Sequence, residues 1–223
     1  MTTRAEFYEF AKRATDVAIS AFVLLALLPV FALLCVWIKF DSAGSAIYRG
    51  VRVGREGQMF EMFKFRTMIA DAEARGGSCT ADDDPRITKA GRILRKYKLD
   101  EIPQFANVFI GDMSLVGPRP EVEQFTSMFT PEERAILTVR PGITDWATLW
   151  DSEEGLLLSG SSDPEGTYIE SIRPEKIRLQ LEYVRKRSFS VDIEILAATA
   201  GMVITNLLRG RRVSIPPEFH QSK

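Results

Sequence analysis

The stretch that decides the fold is VAISAFVLLALLPVFALLCVWI, residues 17–38, an uncharged run of 22 residues with Pro29 near its middle. As one straight helix, at ~1.5 Å per residue, it would be about 33 Å long, enough to cross a hydrocarbon core of about 30 Å. Proline lacks an N–H and its ring clashes with the preceding turn, so the run can instead break at Pro29 into two arms. Each arm then matches about one leaflet. The run predicts a membrane anchor.

Positive side chains stand on both sides of this run. They are Arg4, Lys12 and Arg13 before it, and Lys39, Arg49, Arg52 and Arg55 after it. Because positive residues near membrane segments stay on the cytoplasmic side, a hairpin that enters one leaflet and returns satisfies both flanks. We therefore expect a re-entrant helix broken at Pro29, with a spanning helix as the alternative. A secretory signal is disfavoured because its apolar region is shorter, about 7–15 residues. A buried core helix is disfavoured because a run above about 18 apolar residues indicates membrane.

Composition outside the anchor is that of an ordinary globular domain. The chain has 223 residues, with 29 basic and 30 acidic side chains, which indicates one catalytic domain plus an anchor and gives no nucleic-acid signature. Two distant cysteines, Cys35 and Cys79, imply no disulfide framework and fit a reducing cytoplasm. The single histidine, His220, excludes a histidine triad or a multi-histidine metal site. The chemistry must therefore use carboxylates, cations and hydroxyls.

Hydrophobic periodicity predicts short elements after the anchor. Strands are expected over 46–53 and 60–65 with a turn at 54–57, a loop over 76–85, and helices over 67–75, 89–96, 102–110, 131–137, 174–187 and 195–208. Gly111 is a suitable stop for the clearest helix, and Pro118-Arg119-Pro120 predicts a rigid extended segment. The run 195–208 is uncharged, followed by Arg209, Arg211 and Arg212, and too short to span, so it is either an interfacial or a core helix.

These elements predict the fold class: a compact, membrane-associated α/β (α+β) catalytic domain with a small antiparallel hairpin, an N-terminal re-entrant helix and interfacial amphipathic helices. The predicted organisation is an anchor over 1–40, a catalytic domain over 41–190, a C-terminal interfacial or core helix over 191–212, and a tail over 213–223.

The chemistry concentrates in LDEIPQ, residues 99–104. Spacing alone favours a structural role, in which Asp100 caps the following helix and Glu101 complements its dipole. The surrounding charges favour a functional one, since Arg92, Arg95, Lys96 and Lys98 precede the pair and Arg119 follows it. Adjacent carboxylates among cations suit phosphoryl chemistry: one can attack phosphorus, the pair can hold Mg²⁺, and arginines can neutralise phosphate oxygens.

Several motifs occur in a fixed order along the chain. They are FKFRTM (63–68), DPRIT (84–88), GRILR (91–95), LDEIPQ (99–104), GDMSLVGPRP (111–120) and VRPGIT (139–144). Each is weak alone, but together the sequence resembles the small monotopic phosphoglycosyl transferases over nearly its whole length. The resemblance implies transfer of a sugar-1-phosphate from a UDP-sugar to undecaprenyl phosphate, with release of UMP. This would be the first membrane step of exopolysaccharide, capsule, O-antigen or glycoprotein glycan synthesis.

The resemblance also implies residue roles. Asp100 matches the nucleophile, which forms a covalent aspartyl-phosphosugar intermediate, and Glu101 matches its dyad partner. Mg²⁺ is the implied cofactor, bound at Asp100 and Glu101 with the diphosphate. Arg95 and Arg119 match phosphate-contacting arginines, with Lys64 as an ancillary contact. Pro29 matches the break of the family's re-entrant helix. The implied location is the bacterial inner (cytoplasmic) membrane, with the active site on the cytoplasmic face and membrane lipids around the anchor.

The chain departs from the family pattern at several positions. Leu28 precedes Pro29 where serine is frequent, and Asp145 follows Thr144 where glycine is usual. Asp145 either alters sugar recognition or has a local structural role, which we favour. Tyr97 and Lys98 replace small or hydroxyl residues. Residues 151–168 form a longer insert whose acidic side chains are expected on a solvated face.

Two other functions stay open at this point. One is a membrane-bound nucleotide-sugar pyrophosphatase or phosphodiesterase that uses the same acid–cation site. The other is a non-catalytic membrane scaffold in which Asp100 and Glu101 only cap a helix. Nothing in the sequence specifies the sugar or the oligomeric state.

Overall fold

A computed structural model describes residues 2–76, 79–150, 155 and 158–209. Its α-helices are α1 (Thr2–Ala26), α2 (Leu28–Asp41), α3 (Lys89–Lys96), α4 (Gln104–Ile110), α5 (Glu123–Thr126), α6 (Trp146–Trp150), α7 (Pro164–Thr167), α8 (Arg173–Lys186) and α9 (Phe189–Arg209). Its strands are β1 (Ile47–Val53), β2 (Met59–Phe65), β3 (Ser114–Val116) and β4 (Gly142–Thr144). The mixed helix–strand class with small sheets is as predicted.

The N-terminal apolar run forms two helices, α1 and α2, bent by 62° at their junction. The junction residue is Leu27, and Pro29 occupies the first turn of α2, where its missing N–H leaves no intrahelical bond unmade. Apolar side chains such as Phe22, Leu25 and Leu33 are exposed. By length and composition, the bent pair is either one broken span or a re-entrant loop.

Helix α1 is fixed to the domain by polar side chains. Arg13 donates to the carbonyls of Val108 (2.6 Å) and Phe109 (2.9 Å), which belong to the last turn of α4. Buried Asp16 accepts from the amide of Leu115 in β3 at 3.0 Å. Because a helix end leaves its last four carbonyls without intrahelical partners, Arg13 satisfies groups that would otherwise be orphaned. Helix α1 is thus hydrogen-bonded to α4, the helix that begins at the end of LDEIPQ.

Helix α2 is fixed in the same manner at its C-terminal end. Arg66 donates to the carbonyls of Ala43 (2.7 Å) and Ser42 (2.6 Å) just beyond that end. Asp41 accepts from the amide of Ala90 at 3.1 Å and so satisfies an N-terminal donor of α3. Helix α2 therefore positions α3, which carries Arg95.

The two sheets are small. β1 and β2 form the predicted antiparallel hairpin, with Ile47 opposite Phe65 and Val53 opposite Met59. β3 and β4 pair in parallel, with Ser114 opposite Gly142. Beside this pair the backbones of residues 117 and 142 pack together, and a Cβ on Gly142 would lie 2.1 Å from the nitrogen of Gly117. Only glycine fits there.

The main core lies between the parallel pair and the C-terminal helices. Its buried side chains include Val108, Met113, Leu149, Leu179 and Ile195. A polar cluster ties the helices together at its edge. There Asp192 of α9 accepts from Tyr183 of α8 (2.8 Å) and from Lys12 of α1 (2.7 Å). Helix α1 and the last two helices therefore share one buried carboxylate.

Two predicted helices differ in this structure: the first is wrong, and the second is a 3₁₀ helix with shifted bounds. Residues 67–75 contain only a 3₁₀ turn, Glu73–Arg75, because Met68 forms a β-bridge with Ile87 and the Thr67 carbonyl accepts from Thr88. Residues 131–137 form a 3₁₀ helix, Glu133–Thr138, that begins after Pro131. By contrast, α3 has the predicted bounds, and α4 ends at Gly111, whose φ of 109° is left-handed.

The last helix is longer than the uncharged run predicted it to be. It begins at Phe189, and its window Phe189–Asn206 is long and apolar enough to cross a membrane, with 22% of the window buried. Ile195 and Met202 pack on the core, whereas Ile193 and Ile204 are exposed. The prediction that this segment is too short to span is therefore wrong. Arg211, Arg212, His220 and the tail 213–223 lie outside the described residues.

Candidate active site

The LDEIPQ segment forms a turn and not a helix cap. Leu99–Glu101 is a 3₁₀ turn, and α4 begins only at Gln104 with no side-chain cap. The capping role for Asp100 is therefore wrong. Asp100 is 7% exposed, and its Oδ1 has no hydrogen-bond partner in the described part of the chain. A buried polar atom without a partner costs free energy. Unlike the similarly unpartnered atoms of Gln104, Ser114 and Asp145, this oxygen belongs to a residue that lines a cavity, where a ligand can pair with it.

Lys98, the residue before this turn, adopts a left-handed backbone conformation with φ 55°. A non-glycine residue in this region costs of order 1–3 kcal/mol and persists where the surrounding structure enforces it. The strained backbone of Lys98 therefore lies two residues before Asp100, whose Oδ1 has no partner among the described residues.

Glu101 is held by two cations. Arg119 Nη2 lies 2.5 Å from Oε1 and Nη1 lies 3.4 Å from Oε2, while Lys64 Nζ lies 3.3 Å from Oε1. Burial alone would raise the pKa of Glu101, but Arg119, Lys64 and Lys98 outweigh burial and hold that pKa well below its usual range. Glu101 is therefore ionised and positions the cations beside Asp100.

Lys64 lies near the end of strand β2, opposite Tyr48. Burial lowers the pKa of Lys64 to about 8; neighbouring Arg119 also lowers this pKa, whereas Glu101 raises it. The ammonium group is consequently protonated at neutral pH and begins to lose its proton in mildly alkaline solution.

Arg95 reaches the same region from α3. Its Nε donates to Thr67 Oγ1 at 3.0 Å, which orients the guanidinium. Helix α3 approaches the backbone of Thr67 so closely that a Cβ on Gly91 would lie only 2.0 Å from the Thr67 carbonyl oxygen. Because glycine at position 91 permits this close approach, it determines the position of α3 and therefore of Arg95.

These predicted residues line one cavity of about 890 Å³: Lys64, Arg95, Asp100, Glu101 and Arg119, together with Lys98. The structure brings together the predicted catalytic and phosphate-binding residues. Pro29 is not among the lining residues; it lies in the first turn of α2. The arrangement places a carboxylate among several cations in a pocket large enough for a small-molecule ligand.

A second polar cluster lines the same cavity, and the sequence reasoning missed it. Glu121 Oε1 lies 2.7 Å from Lys176 Nζ and accepts from Tyr168 Oη at 2.8 Å. Lys176 and Tyr168 come from α8 and from the π-helical turn Tyr168–Ile172 that precedes it. A signal was available for Glu121, because side chains alternate along an extended chain and position 121 shares a face with Arg119.

Asp145 lies fully buried behind the cavity wall. Its Oδ1 accepts from the amide (2.6 Å) and the hydroxyl (2.7 Å) of Thr148, so it caps α6. Burial raises the pKa of Asp145, and the bonds from Thr148 partly offset that rise. The geometry is that of the local structural role favoured from the sequence.

Part of the predicted insert can be described. Asp163 caps α7 by accepting from the amide of Gly166 at 2.9 Å, and Glu165 accepts from Gln124 at 3.1 Å. Both contacts are exposed. Residues 151–154 and 156–157, with the acidic pair Glu153-Glu154, lie outside the described residues.

The described residues contain no group of three or more Asp, Glu, His or Cys side chains that could hold a metal ion without help. Mg²⁺, however, is usually bound by one or two carboxylates plus substrate phosphates. The orphaned Oδ1 of Asp100 fits such a role. Both oxygens of Glu101 are already used by Arg119 and Lys64, so Asp100 is the better ligand of the two.

Comparison with known proteins gives a consistent result. Residues 7–206 match the family model described as bacterial sugar transferase. The UDP-N-acetylgalactosamine-undecaprenyl-phosphate N-acetylgalactosaminephosphotransferase of Aeromonas hydrophila is 33% identical over 201 residues, which cover 89% of this chain and 44% of that protein. The UDP-glucose:undecaprenyl-phosphate glucose-1-phosphate transferase of Escherichia coli K12 is 35% identical over 196 residues, 84% of this chain and 39% of that protein.

A shorter relative matches over most of its own length. The exopolysaccharide production protein ExoY of Sinorhizobium fredii is 33% identical over 204 residues, which cover 85% of this chain and 83% of that protein. The chain therefore spans less than half of the two longer relatives and most of the shorter one.

Proposed function

Because this chain belongs to the bacterial sugar transferase family, we propose that it transfers a sugar-1-phosphate from a UDP-sugar to undecaprenyl phosphate and releases UMP. The observation that carries this proposal is the buried, unpartnered Oδ1 of Asp100 beside the Glu101–Arg119–Lys64 cluster. A carboxylate so placed has an oxygen available to react and cations nearby to receive negative charge.

The first step is attack by an Asp100 carboxylate oxygen on the phosphorus that bears the sugar. A bond forms between this oxygen and phosphorus, while the bond from phosphorus to the bridging oxygen breaks, and UMP leaves with the electron pair. In the second step a phosphate oxygen of undecaprenyl phosphate attacks the same phosphorus and releases the Asp100 carboxylate. The product is a lipid diphosphate sugar. Splitting the transfer lets UMP leave before the lipid acceptor reacts.

The cations have separate tasks. Arg119 and Arg95 can each present a planar guanidinium to phosphate oxygens, which suits bidentate contact. Lys64 supplies a point charge held in place by Glu101. In phosphoryl transfer, catalysis consists mainly of positioning and charge stabilisation, so these groups account for most of the rate enhancement.

Mg²⁺ would be held by Asp100 together with the diphosphate of the donor. When bound, it would neutralise phosphate charge and stabilise the leaving group. Arg95, Arg119 and Lys64 do the same from fixed positions in the protein.

The membrane anchor explains how the two substrates meet. The bent pair α1–α2 exposes apolar side chains, and it is hydrogen-bonded to the helices on either side of the Asp100 turn. An anchor that returns to its own leaflet places the cavity near the lipid headgroups on the cytoplasmic face of the inner membrane. There a soluble nucleotide sugar and a lipid phosphate can both reach Asp100.

The test is an incubation of the purified protein with UDP-sugars and undecaprenyl phosphate. We expect UMP and a lipid diphosphate sugar in equal amounts. Release of free sugar-1-phosphate would instead identify a pyrophosphatase or phosphodiesterase. No turnover with any UDP-sugar, under conditions in which a related transferase is active, would identify a scaffold.

A further inference from the structure

The cavity that contains Asp100 has a second polar cluster with no role in the steps above. It consists of Glu121, Lys176 and Tyr168, and we call it the Glu121 cluster. Lys176 is 5% exposed and Tyr168 2%, yet all three line the cavity. Lys176 Nζ also contacts Tyr168 Oη at 3.2 Å. We propose that the Glu121 cluster is the subsite that binds hydroxyl groups of the donor's sugar and selects the sugar; this inference rests on the proposed function.

The backbone fixes the distance between this cluster and the phosphate-binding residues. Arg119 and Glu121 are separated by Pro120, and the amide of Val53 donates to the Glu121 carbonyl at 2.9 Å. In an extended chain, alternate residues lie on the same side, roughly 7 Å apart. Both side chains accordingly line the cavity. A phosphate at Arg119 would place the group attached to it, the sugar, next to Glu121.

The charge of Glu121 indicates what it can bind. Glu121 and Lys176 neutralise each other, so this end of the cavity lacks the excess positive charge that a diphosphate requires. Lys176 and Tyr168 both contact Oε1, whereas Oε2 makes no hydrogen bond to any described residue. Oε2 is thus an acceptor held in one position, and hydroxyl groups of a sugar are donors that match it.

A purely structural ion pair is a weaker explanation. A buried pair of this kind contributes little net stability because desolvation of the two charges offsets their attraction. Here the pair also borders the reactive cavity instead of being enclosed by the core. A site built to accept a hydroxyl discriminates strongly against a substrate that lacks it, because its polar atom is then left without a partner. The cluster therefore has the properties of a specificity site.

The experiment compares donors in which single sugar hydroxyls are removed. UMP release is measured for the preferred UDP-sugar and its deoxy analogues with wild type, Glu121→Gln and the control Glu132→Gln, an exposed carboxylate paired with Arg185. For wild type, we expect removal of one particular hydroxyl to lower kcat/KM about 10- to 100-fold, the effect of one hydrogen bond to a charged group. In Glu121→Gln that hydroxyl should matter much less, whereas Glu132→Gln should behave as wild type.

If Glu121→Gln lowers kcat/KM by the same factor for all donors, the inference is overturned, because loss of a structural contact affects every donor equally. A second comparison uses UDP-sugars whose uracil carries a methyl group on N3. If Glu121→Gln changes the ratio of kcat/KM between the normal and the methylated donor, the cluster binds the base and the inference is wrong. If Glu121→Gln fails to fold, the double variant Glu121→Gln/Lys176→Met, which removes both charges of this ion pair, takes its place.

Measurements of ligand binding, made separately from turnover, distinguish a failure of this inference from a failure of the proposed function. Absence of UMP release from wild type with every donor would refute the function. Thermal shifts with UDP and with UDP-sugars then decide the inference. Greater stabilisation by a UDP-sugar than by UDP, lost in Glu121→Gln, supports it. Equal stabilisation of wild type by both ligands overturns it.

Discussion

Arg119 contacts both carboxylate oxygens of Glu101, with Nη2 2.5 Å from Oε1 and Nη1 3.4 Å from Oε2. The pair lies in the wall of the cavity that contains Asp100. Glu101 thus fixes the orientation of a guanidinium that lines this cavity. The pairing of a carboxylate with a substrate-binding cation is a way to pre-organise charge before the substrate arrives.

Arg119→Ala should lower kcat/KM for the donor about 10²- to 10³-fold, the effect of removing one pre-organised donor from a transition state. Arg119→Lys should recover only part of this loss, because lysine cannot make the bidentate contact. Steady-state UMP release is the measurement, and Arg185→Lys, an exposed ion pair, is the control. A change below about tenfold in Arg119→Ala would show that Arg119 is structural.

Activity should depend on pH through Lys64. Its pKa is lowered to about 8, mainly by burial, so the charged form is present below about pH 8 and is lost as the pH rises. If the charge binds donor phosphate, kcat/KM should be highest below pH 8 and fall above it, since this ratio reports the free enzyme.

Lys64→Arg provides the control for that profile. Arginine stays protonated throughout the accessible range, so the decline above pH 8 should disappear even if the maximal rate is lower. An unchanged alkaline limb in Lys64→Arg would assign the decline to another group.

Gly91→Ala should disturb the candidate active site by displacing α3. The new Cβ would lie 2.0 Å from the backbone oxygen of Thr67, so α3 must move and carry Arg95 with it. We expect a destabilisation of about 1–3 kcal/mol, typical of overpacking, and a loss of activity. Thermal unfolding and UMP release are the measurements.

Gly201→Ala in α9 is the matched control. A Cβ there meets nothing within 4 Å, and alanine in a helix interior is favoured by about 0.5–1 kcal/mol. It should therefore be neutral or slightly stabilising. Equal behaviour of the two variants would contradict the close approach of α3 to Thr67.

The local pattern predicted much of the fold. The hairpin, α3, and the end of α4 at Gly111 follow from strand periodicity, turn residues and a glycine stop, all of which are short-range signals. The sequence pattern failed where a distant partner decided the outcome. Residues 67–75 are polar enough for a surface helix, but the bridge between Met68 and Ile87 keeps the start of this segment out of a helix, and only turns and the 3₁₀ turn Glu73–Arg75 follow.

The candidate site shows the same division. The motifs identified Asp100, Glu101, Arg95 and Arg119, whereas the role of Asp100 as a helix cap was wrong because the 3₁₀ turn moves the helix start to Gln104. Lys176 and Tyr168 could not be found from spacing, since they reach Glu121 from an element about 50 residues further along the chain. Only tertiary packing brings them to the cavity.

The path of the anchor can be tested by thiol labelling. Glu6→Cys and Ser45→Cys, both at exposed positions, lie on either side of the apolar run 17–38 in a background without Cys35 and Cys79. A membrane-impermeant maleimide added to intact spheroplasts should label neither site until the membrane is permeabilised. Labelling of one site from outside would establish a spanning helix instead of a re-entrant one.

The most direct test of the central claim is an intact-mass measurement of the protein mixed with its UDP-sugar donor in the absence of undecaprenyl phosphate. We predict one equivalent of UMP and a mass increase of one sugar phosphate located on Asp100. Both should be absent in Asp100→Asn and present in the exposed control Asp71→Asn. Release of UMP only when the lipid acceptor is added, or an adduct on another residue, would contradict the role of Asp100 as nucleophile.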